Sequence, residues 1–354
     1  MERLQVNTKS RSYEILIDFG LLNQLATFIR NIYTGQKIFI ITDTNVEKLY
    51  AAVIVESLLA TGYEVQKAVV AAGEKSKDLE TLERLYYDMN SAKLTRSDLI
   101  IALGGGVIGD LAGFAAATYL RGIPFIQVPT TLLAQIDSSI GGKVAVNLPV
   151  GKNLVGSFYQ PLAVLSDTAC LQSLPERVFN DGMAELIKYG CIWDAKILDQ
   201  IESYARDKKN IALLQILIKR CCEIKAEIVM QDELDRGMRM LLNFGHTLGH
   251  AIEKTFNYEL YTHGEAVAIG MCIITRISEA HGLTEGGSGI RIEKLCKSFN
   301  LPISLQKDKF ITAINNIQGD KKTLGNSVNF VLLTKLGKAI LYPVALDKLE
   351  KFLL

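Results

Sequence analysis

Short apolar runs rich in β-branched residues alternate with helical periodicity through the first half of the chain. Residues 4–6 and 13–17 flank the turn-like Lys9-Ser10-Arg11, which predicts a hairpin. Runs at 37–42, 63–70, 98–103, 124–128 and 163–165 read as buried strands. They end on polar or glycine-rich positions: Asp43, Gly73, the glycines from Gly104, Thr130-Thr131 and Asp167. Strands alternating with helices predict a parallel sheet covered on both faces. From about residue 168 the pattern turns helical, at 195–205, 211–230, 247–256, 264–281 and 290–299, and two late strands at 328–332 and 339–342 follow.

The expected fold class is therefore α/β. A Rossmann-like parallel-sheet nucleotide-binding domain (1–167) precedes a mainly α-helical metal- and substrate-binding domain (168–354). A length of 354 residues agrees with two domains. Ligands of such sheets sit at the carboxyl ends of the strands, and a second domain packed there would form a cleft.

Composition narrows the function. Apolar residues make up 49% and charged residues 22%, an ordinary globular balance. A net charge of +1 gives no global field to draw in nucleic acid or an acidic membrane. The apolar stretches are too short to span a bilayer, and the start of the chain lacks a signal-peptide core. Six scattered cysteines form no CxxC pair, so they read as core filler in a reducing cytoplasm.

Leu103-Gly104-Gly105-Gly106-Val107-Ile108-Gly109-Asp110 follows a strand and opens a helix, and Gly104, Gly106 and Gly109 satisfy GxGxxG. Such a turn lets backbone approach a pyrophosphate at a helix N-terminus. The loop is not the first βα unit of its domain, which departs from the usual dinucleotide fingerprint. Asp43 can meet a ribose or cap a helix, and Gly73-Glu74-Lys75-Ser76-Lys77 can meet adenosine or form an ordinary loop.

His246, His250 and His263 cluster late in the chain, with Glu185 and Lys188 on one face of an apolar helix. Two histidines and a carboxylate suit a catalytic divalent ion. Spacing alone leaves open which two histidines bind it. Basic residues occur in glycine-rich or small-residue motifs: Arg121, Lys143 and Lys152, joined by Lys188, Lys225, Arg239, Lys321 and Lys322. A substrate carrying a phosphate, at about −1.5 to −2, and a carboxylate would need several such cations.

The stretches GGGVIGDLAGFAAATYLRG, QVPTTLLAQIDSSIGGKVAVN, GKNLVGSFYQP, GMAELIKYG, KAEIV, LLNFGHTLGHAIE and HGEAVAIGM strongly resemble the 3-dehydroquinate synthase family of sugar-phosphate cyclases. They run from about residue 100 to 272, with weaker matches such as DTN and DKK beyond. The resemblance implies NAD+, one divalent metal ion (Zn2+ or Co2+), and 3-deoxy-D-arabino-heptulosonate 7-phosphate as substrate. Oxidation of the C5 hydroxyl would be transient. Phosphate elimination, re-reduction, ring opening and an aldol closure would follow, with the substrate's own phosphate helping to remove a proton.

By motif position, Glu185, His246 and His263 resemble the metal ligands. Lys143, Asn243 and His250 resemble the phosphate-end contacts, and Lys225 and Arg239 the carboxylate end. Asp137, Lys152, Asn153, Lys188 and Lys322 resemble further active-site members, and Arg121 a residue donated across a homodimer interface. Asp43, Gly73, Glu74, Lys77, Gly105, Gly106, Val107, Asp110, Thr130, Thr131, Lys143, Lys152, Cys170 and Ser173 resemble cofactor contacts. Asp181 departs from the family's pattern, which usually has a small or neutral residue there. An inosose synthase type of cyclase is the nearest rival, but Lys225 and Arg239 favour a substrate acid. A metal-dependent alcohol or glycerol dehydrogenase on the same scaffold would accumulate NADH. A dinucleotide sensor without chemistry would lack some of these ligands.

Overall fold

The structure, a computed structural model, describes the backbone of residues 1–321 and 326–354 and the side chains of 1–317 and 326–354. Lys322 lies outside the described residues, as does the Lys321 side chain. The chain forms two compact units. One is Met1–Pro175 with Lys225–Leu234, and the other is Glu176–Ile224 with Asp235–Leu354.

The first unit is built on a seven-stranded sheet. Its strands are β1 (Glu2–Asn7), β2 (Ser12–Asp18), β3 (Lys37–Asp43), β4 (Glu64–Val70), β5 (Leu99–Gly104), β6 (Phe125–Pro129) and, after a separate hairpin, β9 (Ala163–Asp167). They lie in the order β1-β2-β9-β6-β5-β3-β4. Only the edge pair β1–β2 is antiparallel, with Glu2 opposite Ile17 and Asn7 opposite Ser12.

Every residue of β5, β6 and β9 is buried, which is why they read as unbroken apolar runs. Alternate side chains feed two cores. Ile38, Ile40, Leu99, Ile101 and Leu103 join Leu25, Ile29, Ile54 and Leu58 on one face. Phe39, Ile41, Ile100 and Ala102 join Leu82, Leu85, Leu111 and Ala115 on the other.

Counted from β3, the sheet runs second, first, third, fourth, fifth. This is a doubly wound order whose topological switch point falls between β3 and β5. The glycine turn after β5 therefore sits at the crevice where such sheets bind nucleotides, although it is not the first βα turn.

One element escapes the sequence pattern. β7 (Lys143–Leu148) and β8 (Gly151–Phe158) form an antiparallel hairpin, with Lys143 opposite Phe158. β8 is largely exposed, so it lacks the apolar alternation that marks a strand.

The second unit is mainly helical, as expected. Its helices include Glu176–Ile192, Lys196–Arg206, His246–Thr255, His263–Ala280 and Ser288–Ser298, with the hairpin β10 (Ser327–Lys335) and β11 (Lys338–Ala345). A helix at Lys307–Lys321, with a weak apolar stripe, is additional to those expected.

Candidate nucleotide edge and metal centre

In the first unit the strand ends gather the residues expected to hold a dinucleotide. Gly105 is the N-cap of the helix Gly106–Thr118 and supplies no side-chain cap, so the first-turn amides at Gly106 and Val107 are left for an outside acceptor. The turn is also crowded. A Cβ on Gly105 would lie 3.0 Å from the Thr131 methyl, and one on Gly106 3.0 Å from the Ser138 hydroxyl. Thr130 donates its backbone N–H to the Gly104 carbonyl (3.0 Å), which ties the end of β6 to the turn.

Across the switch point, Asp43 caps the next helix. Its Oδ1 accepts from the N–H groups of Asn45 (2.9 Å) and Val46 (3.1 Å). Both bonds fall on one oxygen, so the cap does not use Oδ2. After β4, Gly73 (φ 107°) leads into the turn Glu74–Ser76. Lys77, buried beyond it, reaches Asp110 in the glycine-turn helix (2.5 Å). Burial pushes the Asp110 carboxyl up, and the Lys77 ammonium opposes this.

Asn147, which the sequence reading does not single out, ties the β7–β8 hairpin to this loop. Its amide donates to Glu74 Oε1 (2.7 Å), its backbone N–H to the Lys77 carbonyl (2.8 Å), and its Oδ1 accepts from the Asn153 N–H (2.8 Å). Past β9, burial pushes the Cys170 thiol up to about 12, so the side chain of Cys170 stays protonated at neutral pH. Its carbonyl accepts from Ser173 Oγ (2.9 Å) and Tyr50 Oη (3.3 Å).

The cations of this unit divide by exposure. Lys225 is buried and paired with Asp137. Its segment is held by Glu233, whose carboxylate accepts from Ser10 and from Gln160 Nε2 (3.0 Å). Lys143 opens β7 and is exposed, while Lys152 lies half-buried in β8. Asn153 (φ 57°) and the exposed pair Leu120 (φ 51°) and Arg121 (φ 68°) adopt left-handed backbone. Two adjacent non-glycine residues in that region store backbone strain, as do Asn257 (φ 52°) and Tyr258 (φ 60°) in the second unit.

The residues expected to hold a metal ion lie within the second unit. Glu185 is fully buried. Glu185 forms an ion pair with Lys188. Its Oε1 lies 3.4 Å from His246 Nε2 and 3.6 Å from His263 Nε2. Tetrahedral ligands at about 2.0–2.1 Å from a zinc ion stand about 3.3–3.4 Å apart. The three residues therefore fit a divalent ion.

His246 Nδ1 meets the Phe244 carbonyl (3.1 Å), which leaves Nε2 for the shared point. A second possible group, His250, Glu253 and His263, shares His263 with the first. Burial, aided by Lys188, pushes His246 down to about 3. Burial also opposes charge on His263, but hydrogen bonding to Glu185 and Glu253 outweighs it and raises that imidazole to about 10. Burial likewise disfavours the Glu185 carboxylate, yet Lys188 and the imidazoles hold its pKa well below the usual range.

Local sequence explains the convergence. His246 opens one helix after Gly245 (φ 79°), and His263 opens the next. Thr262 and Glu265 form a capping box around that second start, and Asp181 Oδ1 accepts from the Gly264 N–H (2.5 Å). Asp181 thus supports the turn that carries His263. Arg239, buried, and Asn243, exposed, lie in a 3-10 turn just before His246, while His250 is exposed on the His246 helix. No helix among the described residues is long and apolar enough to cross a membrane.

Comparison with known proteins agrees with this architecture. Residues 67–181 match the family model described as 3-dehydroquinate synthase N-terminal, and residues 182–323 match the C-terminal counterpart. A 3-dehydroquinate synthase of Clostridium botulinum is 49% identical, covering 96% of this chain and 97% of its own length. Among solved structures, a 2-deoxy-scyllo-inosose synthase complexed with carbaglucose-6-phosphate, NAD+ and Co2+ has a TM-score of 0.84 at 26% identity. It covers 99% of this chain and 100% of its own. A 2-epi-5-epi-valiolone synthase from Streptomyces hygroscopicus, with NAD+ and Zn2+ bound, has a TM-score of 0.87 at 25% identity, covering 98% and 97%.

Proposed function

The chain belongs to the 3-dehydroquinate synthase family, and from that premise we propose how its residues divide the work. The reaction is conversion of 3-deoxy-D-arabino-heptulosonate 7-phosphate to 3-dehydroquinate and phosphate, dependent on NAD+ and a divalent metal ion. NAD+ supplies a hydride acceptor that returns what it takes, and the metal ion supplies a Lewis acid for the substrate hydroxyls.

Glu185, His246 and His263 hold the metal. The triangle of 3.4 and 3.6 Å contacts around the buried Glu185 carboxylate carries this assignment. Lys188 neutralises the charge that Glu185 brings into the interior. The turns after β3, β4, β5, β6 and β9 hold the dinucleotide, its pyrophosphate on the Gly106–Thr118 helix start. The first unit offers Lys143 to the substrate phosphate and Lys225 to the carboxylate. The second offers Asn243 and His250 to the phosphate and Arg239 to the carboxylate. Asp137, paired with Lys225, orients that ammonium. Cations for both a phosphate and a carboxylate favour the acid over a sugar phosphate that lacks a carboxylate.

The test is phosphate release from the heptulosonate phosphate with NAD+, with and without a chelator. Release stops on chelation, returns with Zn2+ or Co2+, and proceeds without NADH accumulating at steady state. Full turnover in the chelated sample, or faster release from glucose 6-phosphate, would overturn the reading.

We also propose a cytoplasmic homodimer in which Arg121 serves the neighbouring subunit. The strained, exposed Leu120-Arg121 backbone supports this. Mixing inactive Arg121→Ala and Lys143→Ala proteins should restore part of the activity. A monomer by light scattering would end the idea.

A further inference from the structure

Glu253 plays no part in the reaction as laid out above, yet its carboxylate is only 4% exposed. A buried carboxylate is costly unless a donor or cation faces it. Glu253 lies on the His246–Thr255 helix, seven residues after His246 and three after His250, so the three share a face. Its Oε2 lies 3.6 Å from His263 Nδ1, while Nε2 of the same ring faces Glu185 at 3.6 Å. The imidazole of His263 is thus held between two carboxylates, one on each nitrogen. His246 has the same arrangement with a weaker partner, since its Nδ1 meets the Phe244 carbonyl.

From this geometry we propose that Glu253 is a positioning residue for the metal centre. It accepts the Nδ1–H of His263, so that Nε2, the nitrogen on the Glu185 side, is the one left for the metal ion, and it makes that nitrogen a stronger donor. Such outer partners change metal affinity by about 10–100-fold. The inference rests on the reading of Glu185, His246 and His263 as the ligands. It also chooses between the two ways of grouping the histidines, because it makes Glu253 an outer partner of His263 and not a ligand alongside His250.

The test is Co2+ titration of metal-free protein, followed by visible absorption and chelator competition, with circular dichroism as the check on folding. Wild type binds one Co2+ per chain. Glu253→Gln keeps an acceptor for Nδ1–H and loses the charge, so it binds about tenfold more weakly with an unchanged absorption envelope. Glu253→Ala loses both and binds about a hundredfold more weakly. His250→Ala binds within about twofold of wild type. If wild type takes up no Co2+, the ligand assignment itself fails. If wild type binds and Glu253→Gln and Glu253→Ala bind as tightly, Glu253 has no such role. If the envelope of Glu253→Gln reports a lost ligand, or His250→Ala removes binding, Glu253 is a direct ligand and the positioning role is wrong.

Discussion

Gly270 and Gly245 bring two helix backbones into direct contact. A Cβ built on Gly270 would fall 2.1 Å from the Gly245 carbonyl oxygen. Gly249 adds to the crossing, its own Cβ position lying 3.3 Å from the Ala266 backbone. This approach brings the helix that starts at His246 against the helix that starts at His263. The obstacle is main chain, so Gly270→Ala must separate the helices. It should cost about 3 kcal/mol in urea unfolding, at the upper end of overpacking effects, and weaken metal binding. Gly286→Ala, where a Cβ meets nothing within 4 Å, should change stability by less than about 0.5 kcal/mol.

Lys77 and Asp110 make a different test, since both stand at the nucleotide edge and the lysine is buried. Lys77→Met leaves the half-buried Asp110 carboxylate without its main cation, which costs about 2 kcal/mol. The double change Lys77→Met with Asp110→Asn should recover most of that loss. Equal stability of the single and double variants by urea unfolding would contradict the pairing.

The capping box gives a pH signature. Burial pushes the Glu265 carboxyl up, but Arg177 and the Thr262 N–H outweigh it and hold it below its ordinary value of 4.5. A depressed carboxyl stabilises the fold above its unfolded pKa, and that stabilisation is lost as pH falls through the folded value. Glu265→Gln should therefore be less stable than wild type at neutral pH, and the gap should close below about pH 4.5. Thr262→Ala, which removes the other half of the box, should cost about 1 kcal/mol. Thermal unfolding across pH checks both.

Catalysis and metal loading should separate by residue. His246→Ala loses both metal and phosphate release. Lys143→Ala keeps its metal and still loses at least about two orders of magnitude in rate, as removal of a transition-state contact of several kcal/mol requires. Metal loss in Lys143→Ala would refute its placement at the substrate.

The central strands β5, β6 and β9 were readable because they are covered on both faces, and the glycine turn because its spacing carries a mechanism. The metal group was readable only as a cluster. Side-chain periodicity places His246 and His250 on one face but says nothing of which ring turns toward Glu185. Asn147 and Glu253 were hidden, since their partners lie on other elements. Asp43 carried two readings, and its cap bonds to Asn45 and Val46 show that the local one holds while a second oxygen is left over. Asp181, out of pattern for the family, acquires a reason only when the Gly264 N–H is seen beside it.

The segment Lys225–Leu234 belongs to the first unit although the stretch Glu176–Ile224 of the second precedes it. A ribosome delivers the sheet early and Lys225 late. The nascent sheet must wait, with Asp137 and the Ser10 turn lacking their partners, until more of the polypeptide has left the exit tunnel. Truncation after Pro175 would reproduce that waiting state permanently, and a library of isolated nucleotide-binding fragments cut there would inherit it.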